Sequence, residues 1–234
     1  MLTIRKSNER GHVKMGWLDT HHSFSFGSYH DPRYMGFGRL RVINDDIIAG
    51  GGGFAPHSHQ DMEIITYMLD GALAHQDSIG NGSTIQPGDI QRMSAGRGIT
   101  HSEFNSSKSE AAHLLQIWLL PEKDGIPPSY AQQAIDRSRM KNNWLPVASE
   151  DGREGSISLN VPTTLYAILL DKGKEVTYKA DPKLTYWLQV ARGNLKLGDQ
   201  KLQAGDGVAI SAETSLIVTG EADIPAEVLL FEGL

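Results

Sequence analysis

The sequence contains no cysteine. Disulfide staples, thiolate zinc sites, cysteine-ligated iron–sulfur clusters and cysteine nucleophiles are therefore excluded, and any metal must sit on His, Asp or Glu. No apolar run reaches transmembrane length. The stretch from Met1 to Trp17 carries basic residues without a following apolar block, so a signal peptide is not expected and a cytoplasmic protein is. Basic residues are outnumbered, 22 Lys+Arg against 28 Asp+Glu, for a formal charge of -6. That balance argues against direct nucleic-acid binding and against docking on an acidic membrane, which need a basic surface; a protein partner stays open. Helical periodicity is scarce. Its best example, Ala131 to Met140, is polar enough to be a loop.

What remains is ordinary globular composition, 39% hydrophobic and 21% charged over 234 residues. At about 150 residues per domain this suits one large domain or two small ones. Glycine is abundant, 25 residues against 10 prolines, which suggests many turns between short strands. Period-2 apolar runs recur at Ile64 to Leu69, His113 to Leu120, Ser156 to Asn160, Leu165 to Leu170, Tyr186 to Val190, Gly207 to Ile210, Ser215 to Val218 and Glu227 to Phe231. Turn signals such as Asp70-Gly71, Pro87-Gly88-Asp89 and Gly205-Asp206-Gly207 separate them. The pattern predicts an all-β protein of sandwich or barrel type.

The chain also echoes itself. Asp70-Gly71 leads to Pro87-Gly88-Asp89 and Ser94-Ala95; Arg192-Gly193 leads to Ala204-Gly205-Asp206 and Ser211-Ala212. This predicts two similar β-barrels in tandem. Three prolines and many polar residues make the segment after Leu120 the natural connector. The expected domains are residues 1–121, a connector at 122–143, and 144–234.

The chemistry concentrates in two short stretches. In the first, His57 and His59 share a face of an extended strand, as do Asp61 and Glu63. In the second, His101 and Glu103 do the same. Brought together inside a barrel, three imidazoles and one carboxylate can converge. Such a set suits Fe, Mn, Ni, Co, Cu or Zn and is too rich in nitrogen for Mg or Ca. Four protein ligands on an octahedral ion leave two open positions, the mark of a catalytic site. His12, His21, His22, His30, His75 and His113 are expected to be structural or exposed. Either His113 or Gln116, on the strand His113 to Trp118, could line the pocket.

At these residues the sequence resembles the cupins, and among them the pirin family. Gly51, His57, His59, Glu63 and Gly71 follow the first cupin motif, with one extra residue before Gly71; Pro87-Gly88-Asp89 and His101-x3-Asn105 stand for the second. The longer spacing from turn to His, Met93 to Glu103, is similar to the pirin signature, as are Gly16-Trp17-Leu18-Asp19, Ser23-Phe24-Ser25-Phe26 and Tyr29-His30-Asp31-Pro32. The resemblance is dense from about residue 10 to 121. It implies two tandem cupin jelly-roll barrels, and it implies the activity of the pirin-like quercetin 2,3-dioxygenases of bacteria. The implied metal ligands are His57, His59, His101 and Glu103, with Glu103 also the proton acceptor and Glu63 a spectator or a group behind the ligands. In the second repeat, counting from matched turns puts Lys179, Asp181 and Val218 at the histidine positions, and no His follows His113. One divalent metal per chain is therefore expected. Pirins also include metal-binding, redox-sensing interaction proteins, so that role is a second expectation, beside other small-molecule cupin chemistry. Metal loading is expected to fall as pH drops through about 6, where imidazoles protonate.

Overall fold

The computed structural model describes all 234 residues. It contains 22 strands and two short 3-10 turns. No helix is long and apolar enough to cross a membrane. The chain divides into two compact units. One comprises Gly11–Ile135 with Leu159–Val161; the other comprises Met1–Arg10, Asp136–Ser158 and Pro162–Leu234.

The first strand, β1 (Leu2–Arg5), belongs to the second of these units. The first unit begins with β2 (Gly11–Met15), β3 (Leu18–His22) and β4 (Leu40–Ile48), followed by β5 (Gly53–His59), β6 (Glu63–Asp70), β7 (Leu73–Asp77) and β8 (Gly82–Ile85). It ends with β9 (Asp89–Ser94), β10 (Ile99–Asn105), β11 (Ala112–Leu119) and β12 (Ser129–Ala134). A seven-stranded sheet of order β12-β9-β6-β11-β4-β3-β2 faces a four-stranded sheet of order β5-β10-β7-β8. Alternate residues of the two sheets meet between them: Leu18, Ile48, Met68 and Leu114 from the larger sheet pack with Leu73 and Ile85 from the smaller. The same interior face of the larger sheet also carries Asn44, Asp46, Thr66 and Gln116, all buried. These polar positions are where the site lies.

The second unit adds β13 (Leu145–Ser149), β14 (Ile157–Ser158), β15 (Thr164–Leu170), β16 (Glu175–Lys179), β17 (Thr185–Arg192), β18 (Asn194–Leu197), β19 (Gln200–Gln203), β20 (Gly207–Ser211), β21 (Ser215–Gly220) and β22 (Ala226–Glu232). Its sheets run β1-β20-β17-β22-β15-β13-β14 and β16-β21-β18-β19. The order β5-β10-β7-β8 maps onto β16-β21-β18-β19, and β9-β6-β11-β4 onto β20-β17-β22-β15. The internal echo is thus a duplicated jelly roll. Each unit is a pair of facing sheets of seven and four strands; neither closes into one hydrogen-bonded barrel.

Two departures from the sequence reading concern partners rather than elements. The sequence places residues 1–10 in the first domain, but Leu2–Arg5 pairs antiparallel with Gly207–Ile210. The connector at 122–143 is not all linker, because Ser129–Ala134 pairs with Asp89–Ser94 as an edge strand. Neither pairing is visible locally, since an edge strand needs only half a ladder and little apolar pattern. In the second unit, Val218 pairs with Val176 rather than with Lys179; Leu216 and Val218 join the hydrophobic core, and the partly buried Val176 and Tyr178 pack against it. Counting from turns misplaced Lys179 because loop lengths differ between the repeats.

Gly71 and Gly193 occupy matching turns at φ +73° and +72°. An added Cβ would lie 2.8 Å from the Ala111 carbonyl oxygen at Gly71 and 2.9 Å from the Ala226 Cα at Gly193. Strain and clash therefore coincide at both. Gly71→Ala and Gly193→Ala are each expected to cost about 2–3 kcal/mol in denaturant unfolding. Gly80→Ala, also at positive φ but with open space around the new methyl, is expected to cost only about 1 kcal/mol.

Candidate metal centre

The centre is built from β5 and β10, which pair antiparallel. His57 lies opposite His101, and His59 opposite Ile99. Glu103 lies opposite Phe54, so two residues of β5, Ala55 and Pro56, face one of β10. This is a β-bulge, and Pro56 suits it because Pro has no N–H to give the ladder. Without the extra residue, Phe54 and His57 would point to opposite faces. With it, Phe54, His57, His59, His101 and Glu103 all line one cavity of about 210 Å³. Phe26, Asn44, Asp46, Ile64, Gln116 and Trp118 complete its walls.

The three imidazoles converge. Ring centroids are 4.4 Å apart for His57–His101, 4.8 Å for His57–His59 and 4.9 Å for His59–His101. Their ligand nitrogens lie within 4.8 Å of one another. His57 Nδ1 is 2.8 Å from the Ala55 carbonyl oxygen. That contact places the proton on Nδ1 and leaves Nε2 as the free base, the arrangement found behind metal-bound histidines. His101 is 2% exposed, and neither of its ring nitrogens has a hydrogen-bond partner. Burying an imidazole with two unpaired nitrogens is costly, and a cation between the three rings would remove that cost. Burial, with His57 nearby, pulls His59 down to about 4, and burial with the neighbouring histidines pulls His101 down to about 3. Both rings are therefore neutral lone-pair donors at physiological pH.

Glu103 reaches from the small sheet to the large one. Gln116 Nε2 donates to its Oε2 at 2.9 Å, and Thr66 Oγ1 donates to its Oε1 at 3.4 Å. Burial still dominates and pushes Glu103 up to about 7, with Asp46 adding to the rise. Asp46 is itself pushed up to about 7 by burial. Two buried carboxyls and three convergent imidazoles form a donor set that fits a divalent transition ion, so the residues present fit the metal that the sequence implied.

The other expected residues divide. Gln116 lines the cavity; His113 does not, its Nε2 lying 2.6 Å from Asp45 Oδ1 on the opposite face of β11. Glu63 is fully buried but sits one residue out of phase with Thr66, away from the cavity, where the Asn160 backbone N–H donates to it at 3.2 Å. Asn105 of the second motif holds a loop: its Nδ2 donates to the Ile48 and Glu110 carbonyls, each at 2.8 Å. Of the histidines expected to be structural, His22 meets Asn44 at 2.6 Å and fixes that wall.

Several cavity neighbours escaped the sequence reading. His75 is buried, lies opposite Glu103 in β7 and stands with its ring 5.3 Å from that of His101. Its Nδ1 has no partner, its Nε2 is 3.4 Å from Asp77 Oδ2, and its ring stacks on Tyr130 at 4.8 Å. The clue was a His-x-Asp pair just past the first hairpin, the same i, i+2 spacing as the two metal motifs. Asp46 and Trp118 carried no clue, because single polar or aromatic positions on apolar strands are common.

The comparisons with known proteins follow the two halves. The family model described as Pirin matches residues 3–119, and that described as Quercetinase C-terminal cupin domain matches residues 146–232. Quercetin 2,3-dioxygenase of Escherichia coli K12 is 45% identical over 232 residues, covering 99% of this chain and 98% of the relative. The crystal structure of YhhW from Escherichia coli superposes with a TM-score of 0.95 at 44% identity, covering 100% of this chain and 98% of that one. A second structure, of the bacterial pirin YhhW in complex with nickel(II), gives a TM-score of 0.93 at 44% identity over 100% and 99% of the two chains.

The raised Glu103 makes a stability prediction for chelator-treated protein. Its folded value near 7 lies above the ordinary 4.5. The folded state therefore holds this proton more tightly, and the stabilisation is complete below about pH 4.5 and lost as pH rises through about 7. Glu103→Gln, which stays neutral, should gain on wild type between pH 5 and pH 8, by roughly 2–3 kcal/mol in urea unfolding. Parallel stability curves for the two proteins would overturn the assignment.

Proposed function

Because the chain belongs to the pirin family, we propose that it is a metal-dependent quercetin 2,3-dioxygenase, opening a flavonol with dioxygen and releasing carbon monoxide. The observation that carries this reading is the buried Glu103 carboxyl beside three convergent imidazoles in a cavity with aromatic walls. His57, His59, His101 and Glu103 would hold one divalent ion. The nickel(II) complex of the Escherichia coli relative supports the class of ion without choosing among Fe, Mn, Ni, Co, Cu and Zn. When bound, the ion supplies Lewis acidity that lowers the pKa of the flavonol hydroxyl. A cytoplasmic setting is part of the same proposal.

The chain's own residues do the rest. Glu103 takes the hydroxyl proton: with one carboxylate oxygen on the ion, the other is free to accept it. Gln116 holds one of its oxygens, and the Thr66 hydroxyl is shared between the other and the Gln116 side-chain oxygen, 3.4 Å and 3.2 Å away. Phe26, Phe54 and Trp118 offer flat apolar walls that take a planar ring and keep water from it. The Trp118 indole N–H is buried without an acceptor and is available to a substrate oxygen. His59 is held against Trp118, their rings 4.8 Å apart at 82°, so ligand and substrate wall move together.

The test follows loss of flavonol absorbance under oxygen with metal-loaded protein. His101→Ala should lose metal and activity together. Glu103→Gln should lower kcat about 10²- to 10⁴-fold. Gln116→Leu, which removes one donor from Glu103, should lower activity about tenfold with metal retained. Full turnover in His101→Ala, or no turnover by wild type with any of the six metals, would sink the reading, and the second outcome favours the interaction-protein role.

The pH dependence also shifts from the sequence expectation. Burial has moved His59 and His101 well below 6, so Glu103 near 7 is the group whose proton must leave. Nickel(II) affinity should therefore weaken as pH falls below about 7, and Glu103→Gln should flatten that dependence between pH 6 and 8, leaving the part due to Asp46, while binding more weakly throughout.

A further inference from the structure

The hairpin β2–β3 forms the outer edge of the seven-stranded sheet, and its two strands bring a second group of metal-ligating side chains to the surface. His12 lies directly opposite His21, and Lys14 opposite Asp19. Asp19 and His21 are two residues apart on one strand, so all four side chains share a face. His12 Nε2 is 2.8 Å from Asp19 Oδ1. The His12 and His21 rings stack at 4.3 Å, 4° from parallel. One ligand atom from each of His12, Asp19 and His21 falls within 4.8 Å of the other two. In the next strand Asp45 lies opposite His21, and beyond it stands His113, bonded to Asp45.

We propose that His12, Asp19 and His21 form a second metal site, distinct from the cavity, that takes one divalent first-row transition ion. Two imidazole nitrogens and one carboxylate oxygen select such ions over Mg and Ca. The His12–Asp19 separation already matches two neighbouring ligands on one ion, whose bonds of about 2.0–2.2 Å place them roughly 2.8–3.4 Å apart. Binding replaces the proton shared by that pair. The rings stack rather than point at a common centre, so His21 must turn about its side-chain bonds; the partial exposure of this edge leaves it room. Lys14 Nζ holds the other carboxylate oxygen, Oδ2, at 3.0 Å and leaves Oδ1 to the ion. Its positive charge opposes a cation, which makes this the weaker of the two sites. An ion here ties the edge strand β2 to β3. The inference does not depend on the dioxygenase reading.

Equilibrium dialysis of untagged, chelator-treated full-length chain against nickel(II), with elemental analysis, tests it. Wild type should bind two ions in two classes. His101→Ala should lose the tighter class and keep the weaker. His12→Asn and His21→Asn should each lose the weaker class and keep both the tighter one and its flavonol turnover. Lys14→Gln should tighten the weaker class several-fold. Copper(II) bound to His101→Ala should show nitrogen hyperfine splitting from two imidazoles, and only one or none once His21 is replaced. A single class in wild type up to millimolar nickel, or a weaker class indifferent to His12→Asn, would overturn the proposal.

Discussion

The centre depends on one extra residue in one strand. Where β5 crosses β10, two residues stand against one, and the resulting twist turns Phe54 and His57 to the same side. A regular ladder would have placed the aromatic wall and the first imidazole on opposite faces. The bulge costs one ladder hydrogen bond at an edge strand, where that loss is small, and Pro56 removes a donor that would have been stranded. The regular strands behind it do the holding. β10 sits between β5 and β7, so His101 and Glu103 are fixed from both sides, while Gln116 and Thr66 reach Glu103 from the facing sheet.

Burial then sets the chemistry. The same lack of water that pulls His59 and His101 down pushes Glu103 and Asp46 up, so burial disfavours charge on all four groups. A cavity of convergent imidazoles and reluctant carboxyls gains most from a cation, since the ion replaces protons on the carboxyls and satisfies the orphaned His101 ring nitrogens. The duplicated unit shows the alternative outcome. With the same strand order but Val176, Tyr178, Leu216 and Val218 at the interior positions, the space is filled by a hydrophobic core. One scaffold thus gives a polar cavity in one copy and a hydrophobic core in the other, and the difference lies in a few inward side chains.

Much of this was legible in the residues. The alternation of a strand is a local property, so His57 with His59 and His101 with Glu103 could be paired by spacing alone. The turns could be read as well, because Gly71 and Gly193 sit where only a residue tolerant of positive φ fits. What escaped was everything that depends on a neighbour distant in sequence. His75 earns a place near the site only because β7 pairs with β10. Glu63 looked equivalent to Glu103 by motif, yet it faces the other way by one residue of phase. The pH expectation shifts for the same reason: reference values describe exposed groups, and His59, His101 and Glu103 are buried.

Local chemistry therefore settled the residue types that carry the site, their pairing at i, i+2, the absence of any imidazole in the second repeat and the all-β class, because each is read within a few residues of chain. The packed molecule alone decided which carboxylate enters the cavity, where the bulge re-aims β5, that β1 completes the sheet of the other unit, and which group titrates near neutrality. Those outcomes turn on strand register and on exclusion of water, and both arise only when segments far apart in the chain are brought into contact.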